Sequence, residues 1–356
     1  MLSPTLNEDS DYTHDPATNT LTILESTGYA SALAASVPLD TITTLRDYSN
    51  DSPYLDEHRP TPTTFPLPAL QHAHFIGLAS EPPRFPLPAN CKLYARLGRT
   101  DPWDEGEDIE TEQTLEIAFP WLAHPQIEVL HLSMLGATWK TLPESGVKHL
   151  LLSEGNCFMG GVELPRGLET FVLEHHPFEG FGWASYIKWD LRTLVRGLPR
   201  SLKTLGLDVS TYDLEDKGAN SALDLRELES LRTLCLPWYL LPEEIATTLP
   251  EGVENLAVSL FGWNHGSDPG DQMLRIVELR TNLKRLLISG GEAVKLDKEK
   301  LQKACTEKGV VLTYSGFGPA YCYPGNPDDI DSAHLYWKEE CGEDRRALFL
   351  FRKEPF

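Results

Sequence analysis

The sequence predicts an α/β repeat protein in which short strands stack in chain order over one shared core. Three observations predict it. A six-residue pattern, apolar-x-x-apolar-x-apolar, recurs seven times in clear form. A Leu-Pro pair precedes four of those copies. The longer intervals between copies carry apolar residues at helical spacing.

Taken along the chain, residues 1–40 lack a clear copy. Leu21–Leu24 reads as a strand and Ala30–Ala35 as a short helix, so this segment is expected to be an N-terminal cap, partly disordered at its start. Weaker copies follow at Ile42-x-x-Leu45, at Leu70-x-x-Ala73-x-Phe75 and around Cys91–Tyr94. The clear copies begin at Ile127, Val147, Leu168, Leu202, Leu231, Val253 and Leu283, in steps of 20, 21, 34, 29, 22 and 30 residues. A terminal copy is read at Leu312-x-Tyr314. Leu142-Pro143, Leu164-Pro165, Leu198-Pro199 and Leu249-Pro250 each precede a copy. Proline there sets an extended entry and stops a preceding helix. Helical backs are expected at Asp224–Ser230, Glu243–Leu249 and Gln272–Thr281, the last with Ser267-Asp268-Pro269 as its start signal. Lys298–Lys308 is expected to be a final amphipathic helix, and short units to use 3-10 segments or turns. Residues 316–356 contain Tyr321, Tyr323, Tyr336, Trp337, Phe349 and Phe351 and are expected to cap the far end.

Alternate residues of a strand face opposite ways. The fourth and sixth positions of each copy are apolar and should face the core. One strand cannot bury its own leucines, whereas a stack can. The third and fifth positions should face the other side of the sheet. The third column reads Val129, His149, Thr170, Thr204, Thr233, Asn255, Arg285. The fifth reads His131, Leu151, Val172, Gly206, Cys235, Ala257, Leu287, small or apolar where a solvent-facing row should be polar. Two readings follow: a partner peptide or a chain terminus lies across this strip, or small residues pack laterally within the sheet. The second column, Glu128, Lys148, Glu169, Lys203, Arg232, Glu254, Lys284, sets opposite charges side by side and should stabilise the ladder modestly.

This pattern resembles the leucine-rich repeat family over roughly residues 41–315. Leu142–Gly161 and Leu164–Gly180 are also similar to FNIP-type repeats, with Phe178 and Tyr212 at the aromatic offset of that variant. The resemblance implies a curved solenoid, a horseshoe with a parallel sheet on its concave side and short helices, 3-10 segments or turns on its convex side. It also brings in the intracellular fungal proteins in which such repeats follow an F-box, although residues 1–40 lack that motif's apolar helical pattern.

Composition narrows function. With 53 acidic against 31 basic residues the net charge is −22, which excludes general nucleic-acid binding and argues against anionic membrane surfaces. The acidity is polarised: residues 1–126 hold 19 acidic and 6 basic residues. Asp101–Glu116 alone holds eight acids and no base, without the spacing of a calcium loop. The first residues lack a secretory signal pattern and the six cysteines lack tight spacing, so a cytoplasmic or nuclear protein with reduced thiols is expected. There is no Gly-x-Ser-x-Gly elbow and no phosphate loop. His72-Ala73-His74 and His175-His176 lack a second ligand pair at metal spacing. No enzyme activity, cofactor or metal is therefore expected.

The expectation is a monomeric, non-catalytic scaffold that binds a protein partner through the concave sheet and flanking loops. The candidate contact residues are His131, His149, Leu151, Val172, Asn255, Arg285 and Leu287 on the sheet, with Trp183 and Trp263 at loop tips. The alternative, implied by the resemblance, is the substrate-recognition subunit of a ubiquitin ligase with a degenerate or missing F-box.

Overall fold

A computed structural model describes residues 11–25, 27–50, 61–77, 82–97, 121, 123–133, 145–153, 164–175, 191–209, 223–237, 240, 248–260, 269–289 and 296–315. The chain divides into two compact units, Met1–Cys157 and Phe158–Phe356. Both are α/β, with mostly parallel sheets and few helices.

The first unit holds strands β1 (Tyr12–Asp15), β2 (Thr20–Ile23), β3 (Thr44–Asn50), β4 (His72–Gly77), β5 (Lys92–Leu97), β6 (Ile127–Ser133) and β7 (His149–Ser153), and helix α1 (Gly28–Ala34). β1 and β2 form an antiparallel hairpin, and β2 to β7 are parallel in chain order. The expected N-terminal strand and helix are present. The start of the chain departs from the expected disorder at Tyr12–Asp15, which pairs with β2.

Asp11 ties this end together. Its carbonyl accepts from the Leu24 and Glu25 amides, and its carboxylate from the Thr27 and Ser31 hydroxyls at 2.8 and 2.9 Å. A Cβ on Gly28 would lie 2.2 Å from that carbonyl oxygen. Gly28→Ala is therefore expected to lower stability by about 1–2 kcal/mol through backbone displacement, read as a lower midpoint in urea denaturation.

The second unit holds β8 (Thr170–His175), β9 (Thr204–Val209), β10 (Thr233–Pro237), β11 (Asn255–Ser259), β12 (Arg285–Ser289) and β13 (Val311–Ser315). Its helices are α2 (Leu191–Gly197), α3 (Pro269–Leu279) and α4 (Lys298–Lys308). The six strands are parallel and in chain order.

Every described fourth-position residue of the seven clear copies is fully buried, from Leu130 to Leu286. Among sixth positions Leu152, Leu173, Leu207, Leu236, Val258 and Ile288 are buried as well. Fourth and sixth positions sit on one sheet face by strand parity, so this face carries the core. Register keeps like with like: Leu205, Leu234, Leu256 and Leu286 lie side by side across β9 to β12.

A common turn enters the strands. The amides of Leu168, Leu202 and Val253 donate to the carbonyls of Pro165, Pro199 and Pro250, and Cys91 donates to Pro88. Proline has no N–H to lose here because the turn needs only its carbonyl. The next residues extend the ladder: the Glu169, Lys203, Arg232 and Glu254 carbonyls each receive two amides from the following copy.

The expected final helix forms with the predicted bounds. Asp297 caps it by accepting the Lys300 amide at 3.0 Å, and Gly309 ends it at φ 70°. α3 begins at the expected Pro269. Asp224–Ser230 is not a helix. Leu225, Leu228 and Leu231 are buried at three-residue spacing, and two successive turns bond Leu228 to Leu225 and Leu231 to Leu228. A spacing of three satisfies such turns as well as it satisfies a helix, and only two turns fit before β10 begins. Glu243–Leu249 falls mainly outside the described residues, as does the cap expected over 316–356. Among the described residues no helix is long and apolar enough to cross a membrane.

Candidate functional site

The face away from the core is where the third and fifth positions meet, and the two units present different chemistry there. In the first unit one row runs Thr22, Arg46, His74, Tyr94, Val129, His149, strand to strand. The neighbouring row runs Thr20, Thr44, His72, Lys92. The slip that puts Tyr94 opposite Val129 is a one-residue irregularity after Leu93.

Tyr94 anchors this patch. Its ring lies 4.6 Å from the His74 ring at 20°, and its hydroxyl is 3.3 Å from His72 Nδ1. His74 is buried, and burial, with Arg46 and His72 adding repulsion, pushes its pKa down to about 3. It is a neutral imidazole stacked on a phenol at physiological pH. His72 is also shifted down, by burial and by Lys92, against the opposing pull of Glu128. The two histidines share a sheet face, as strand parity requires, and Tyr94 stacks against both. Among the described residues no group of three His, Cys, Asp or Glu is placed to hold a metal ion.

Charges along the second column pair as the sequence suggests. Glu128 bonds both Lys92 and Lys148, at 3.3 and 3.0 Å, and Lys203 reaches Glu169 at 2.8 Å. Lys284 reaches Glu254 at 2.6 Å. These pairs are largely exposed on the lysine side, so each is worth about 1 kcal/mol or less. Replacing Lys284 by Met is expected to move the denaturation midpoint by no more than that.

In the second unit the third column runs Thr170, Thr204, Thr233, Asn255, Arg285 in register. The threonines are buried, Asn255 and Arg285 half-buried. Asn255 donates from Nδ2 to Thr233 Oγ1 at 3.0 Å. The fifth column runs Val172, Gly206, Cys235, Ala257, Leu287. Here the lateral-packing reading has the observation on its side. Cys235, Ala257 and Leu287 form one buried cluster, at 3, 2 and 6 % exposure. Gly206 sits against Val172, whose two methyls would lie 3.3 Å from a Cβ at that position. Leu287, expected to meet a partner, is thus already covered, and Val172 is half-buried.

Among the other sequence candidates, His149 is half-buried and lies beside Val129. His131 and Leu151 are paired in backbone register across β6 and β7. Trp183, Trp263 and the acidic segment 101–116 lie outside the described residues. The described thiols of Cys91, Cys235 and Cys305 are buried. Burial pushes the Cys91 and Cys305 thiols up to about 12 and about 11, so neither is a thiolate nucleophile near neutral pH.

One buried group escaped the sequence reading. The weak copy Ile42-x-x-Leu45-x-Asp47 places an aspartate at the sixth, core-facing position, between Ile23 and Phe75. Asp47 is 1 % exposed. It accepts from the Tyr29 hydroxyl, from the Ser49 amide at 2.9 Å and from the Ser49 hydroxyl at 2.5 Å. Tyr29 is itself held edge-on by Phe65 at 4.9 Å and lies 6.0 Å from Phe85. Completing the six-residue pattern at Ile42 would have exposed the anomaly. Set against known proteins, the chain matches no protein-family model, and no curated protein matches it.

Proposed function

We propose that the chain is a leucine-rich-repeat solenoid that acts as a non-catalytic protein-binding scaffold, using the sheet face opposite its core. The observation that carries this reading is the in-register third and fifth columns of the second unit, where buried side chains pack laterally into a firm floor and Val172, Asn255 and Arg285 stay partly open. Such a surface suits a protein partner: side chains are locked by their neighbours, so little rotamer entropy is lost on contact. Half-buried Val172, Asn255 and Arg285 are the second-unit residues that would touch it, and half-buried His149 is the candidate within the first unit.

The test is quantitative affinity purification of the full chain against two variants. Val172→Arg with Asn255→Arg puts two bulky cations on the proposed contact face, and a specific partner should fall about tenfold or more in recovery. Lys203→Glu alters an exposed second-column charge and should leave recovery unchanged. Equal recovery from all three proteins would remove the face from consideration.

A further inference from the structure

The third and fifth columns of the second unit carry a single charge, Arg285 on β12. Its register neighbours, Asn255 on β11 and Val311 on β13, are uncharged. Arg285 is half-buried, and among the described residues its guanidinium makes no hydrogen bond, ion pair or ring contact. Other arginines of this unit are met. Arg226 forks onto Asp224 at 2.8 and 2.6 Å, and half-buried Arg280 reaches the Leu249 carbonyl at 2.6 Å. Asn255 is turned the other way, because its Nδ2 donates to Thr233 Oγ1 at 3.0 Å on β10. Glu254, the residue before Asn255, is held by Lys284 at 2.6 Å.

A guanidinium keeps its charge throughout the physiological range and has five N–H donors to place. Half-burial strips part of its hydration, and no described neighbour returns it. An acceptor from outside would, and the surroundings narrow its kind. Phosphate groups are taken by clusters of arginines, whereas these columns offer one. Capture of a chain-terminal carboxylate uses a nest of free backbone amides. Here the Asn255 and Arg285 amides are already given to the Arg232 and Glu254 carbonyls. A broadly acidic partner is repelled by a chain of net charge −22. A single side-chain carboxylate meets none of these objections and matches the planar fork with two parallel hydrogen bonds. The adjoining floor of Cys235, Ala257 and Leu287 is small and apolar, which suits uncharged residues on either side of that acid.

We infer that Arg285 is the specificity anchor of the contact face and receives one Asp or Glu side chain from an otherwise uncharged segment of a partner protein. This rests on the reading of that face as a protein contact surface and adds the partner's chemistry to it.

The test measures retention of the full chain on two immobilised peptide pools. Both are amidated at the C-terminus and random in uncharged residues, with Glu or Gln fixed at one central position. The Glu pool should retain about tenfold more protein, the scale of one charge-assisted contact. Arg285→Gln should bring the ratio to about one, and Arg285→Lys, which keeps the charge without the fork, should fall between. The urea midpoint of Arg285→Gln should match that of the parent, since the side chain has no described partner to lose. A lower midpoint would point to an acceptor within the chain and overturn the inference. Equal retention of the two pools, retention of neither, or a Glu preference that survives Arg285→Gln would overturn it too. So would a Gln pool with a free C-terminal carboxylate, or a phosphoserine pool, that outbinds the Glu pool. The Glu to Gln ratio judges Arg285 alone; recovery with Val172→Arg and Asn255→Arg judges the face.

Discussion

Replacing Leu234 with alanine is expected to lower the unfolding free energy by about 2–5 kcal/mol. Leu234 holds a fourth position at the middle of the second unit, fully buried between Leu205 and Leu256. Its neighbours are fixed by two ladders of backbone hydrogen bonds, so the site has little freedom to collapse into the space left by three heavy atoms. That places the expected loss in the upper part of the range. The adjoining Cys235 provides the control. It is also buried, but on the opposite face, against Ala257 and Leu287. Cys235→Ala removes a single sulfur and should cost about 1 kcal/mol. Urea denaturation of both variants, with unchanged slope, measures the difference. A strand register shifted by one residue exchanges the two faces, and then the order of the two effects would invert. An inversion would therefore refute the assignment of core and surface columns throughout β9 to β12.

Much of this arrangement was legible in the sequence because two periods agree. The six-residue pattern gives strand parity, and its repetition gives neighbours. Together they predict which leucines are buried and which charges pair, as Glu128–Lys148 and Glu254–Lys284 do. The helix α2 was also legible: Leu191, Leu194, Val195 and Leu198 are all buried at helical spacing in the longest interval between copies. β1 was less so. Tyr12–Asp15 shows no apolar alternation and owes its place to pairing with β2 and to Asp11. The fate of the fifth column could not be read from residue types. A row of Gly, Cys and Ala is compatible with an open strip, and only the lateral packing of Cys235 and Ala257 against Leu287 closes it.

Asp47 is the departure from the pattern with the largest expected consequence. A carboxylate at a core position is tolerable only if its lone pairs are met, and here Tyr29 and Ser49 meet them. Removing one partner should hurt more than removing both. Asp47→Val alone leaves the Tyr29 hydroxyl buried and unpaired; Tyr29→Phe alone leaves the carboxylate short of a donor. Each is expected to cost about 2–3 kcal/mol, while the double variant should come within about 1 kcal/mol of the parent, because an apolar pair of similar shape restores the column Ile23, Val, Phe75. The double-mutant cycle reads this as a coupling of about 2 kcal/mol or more. Independent, additive losses would show that the Tyr29–Asp47 contact does not hold the site. The same carboxyl gives a pH signature. Burial raises its pKa in the folded chain, over the opposing effect of its hydrogen bonds. The folded state therefore binds the proton more tightly than the unfolded one. The stabilisation this group supplies is complete below the unfolded carboxyl pKa and is lost as pH rises through the raised folded value. Asp47→Asn keeps a neutral polar group there and removes the titration. Relative to that variant, the parent should lose stability as pH rises above the ordinary carboxyl range, measured as the difference between their urea midpoints at each pH. A difference that stays flat, or that grows in the parent's favour towards neutrality, would mean that the carboxylate is the form the fold prefers, and that the Tyr29 and Ser49 hydrogen bonds outweigh its burial.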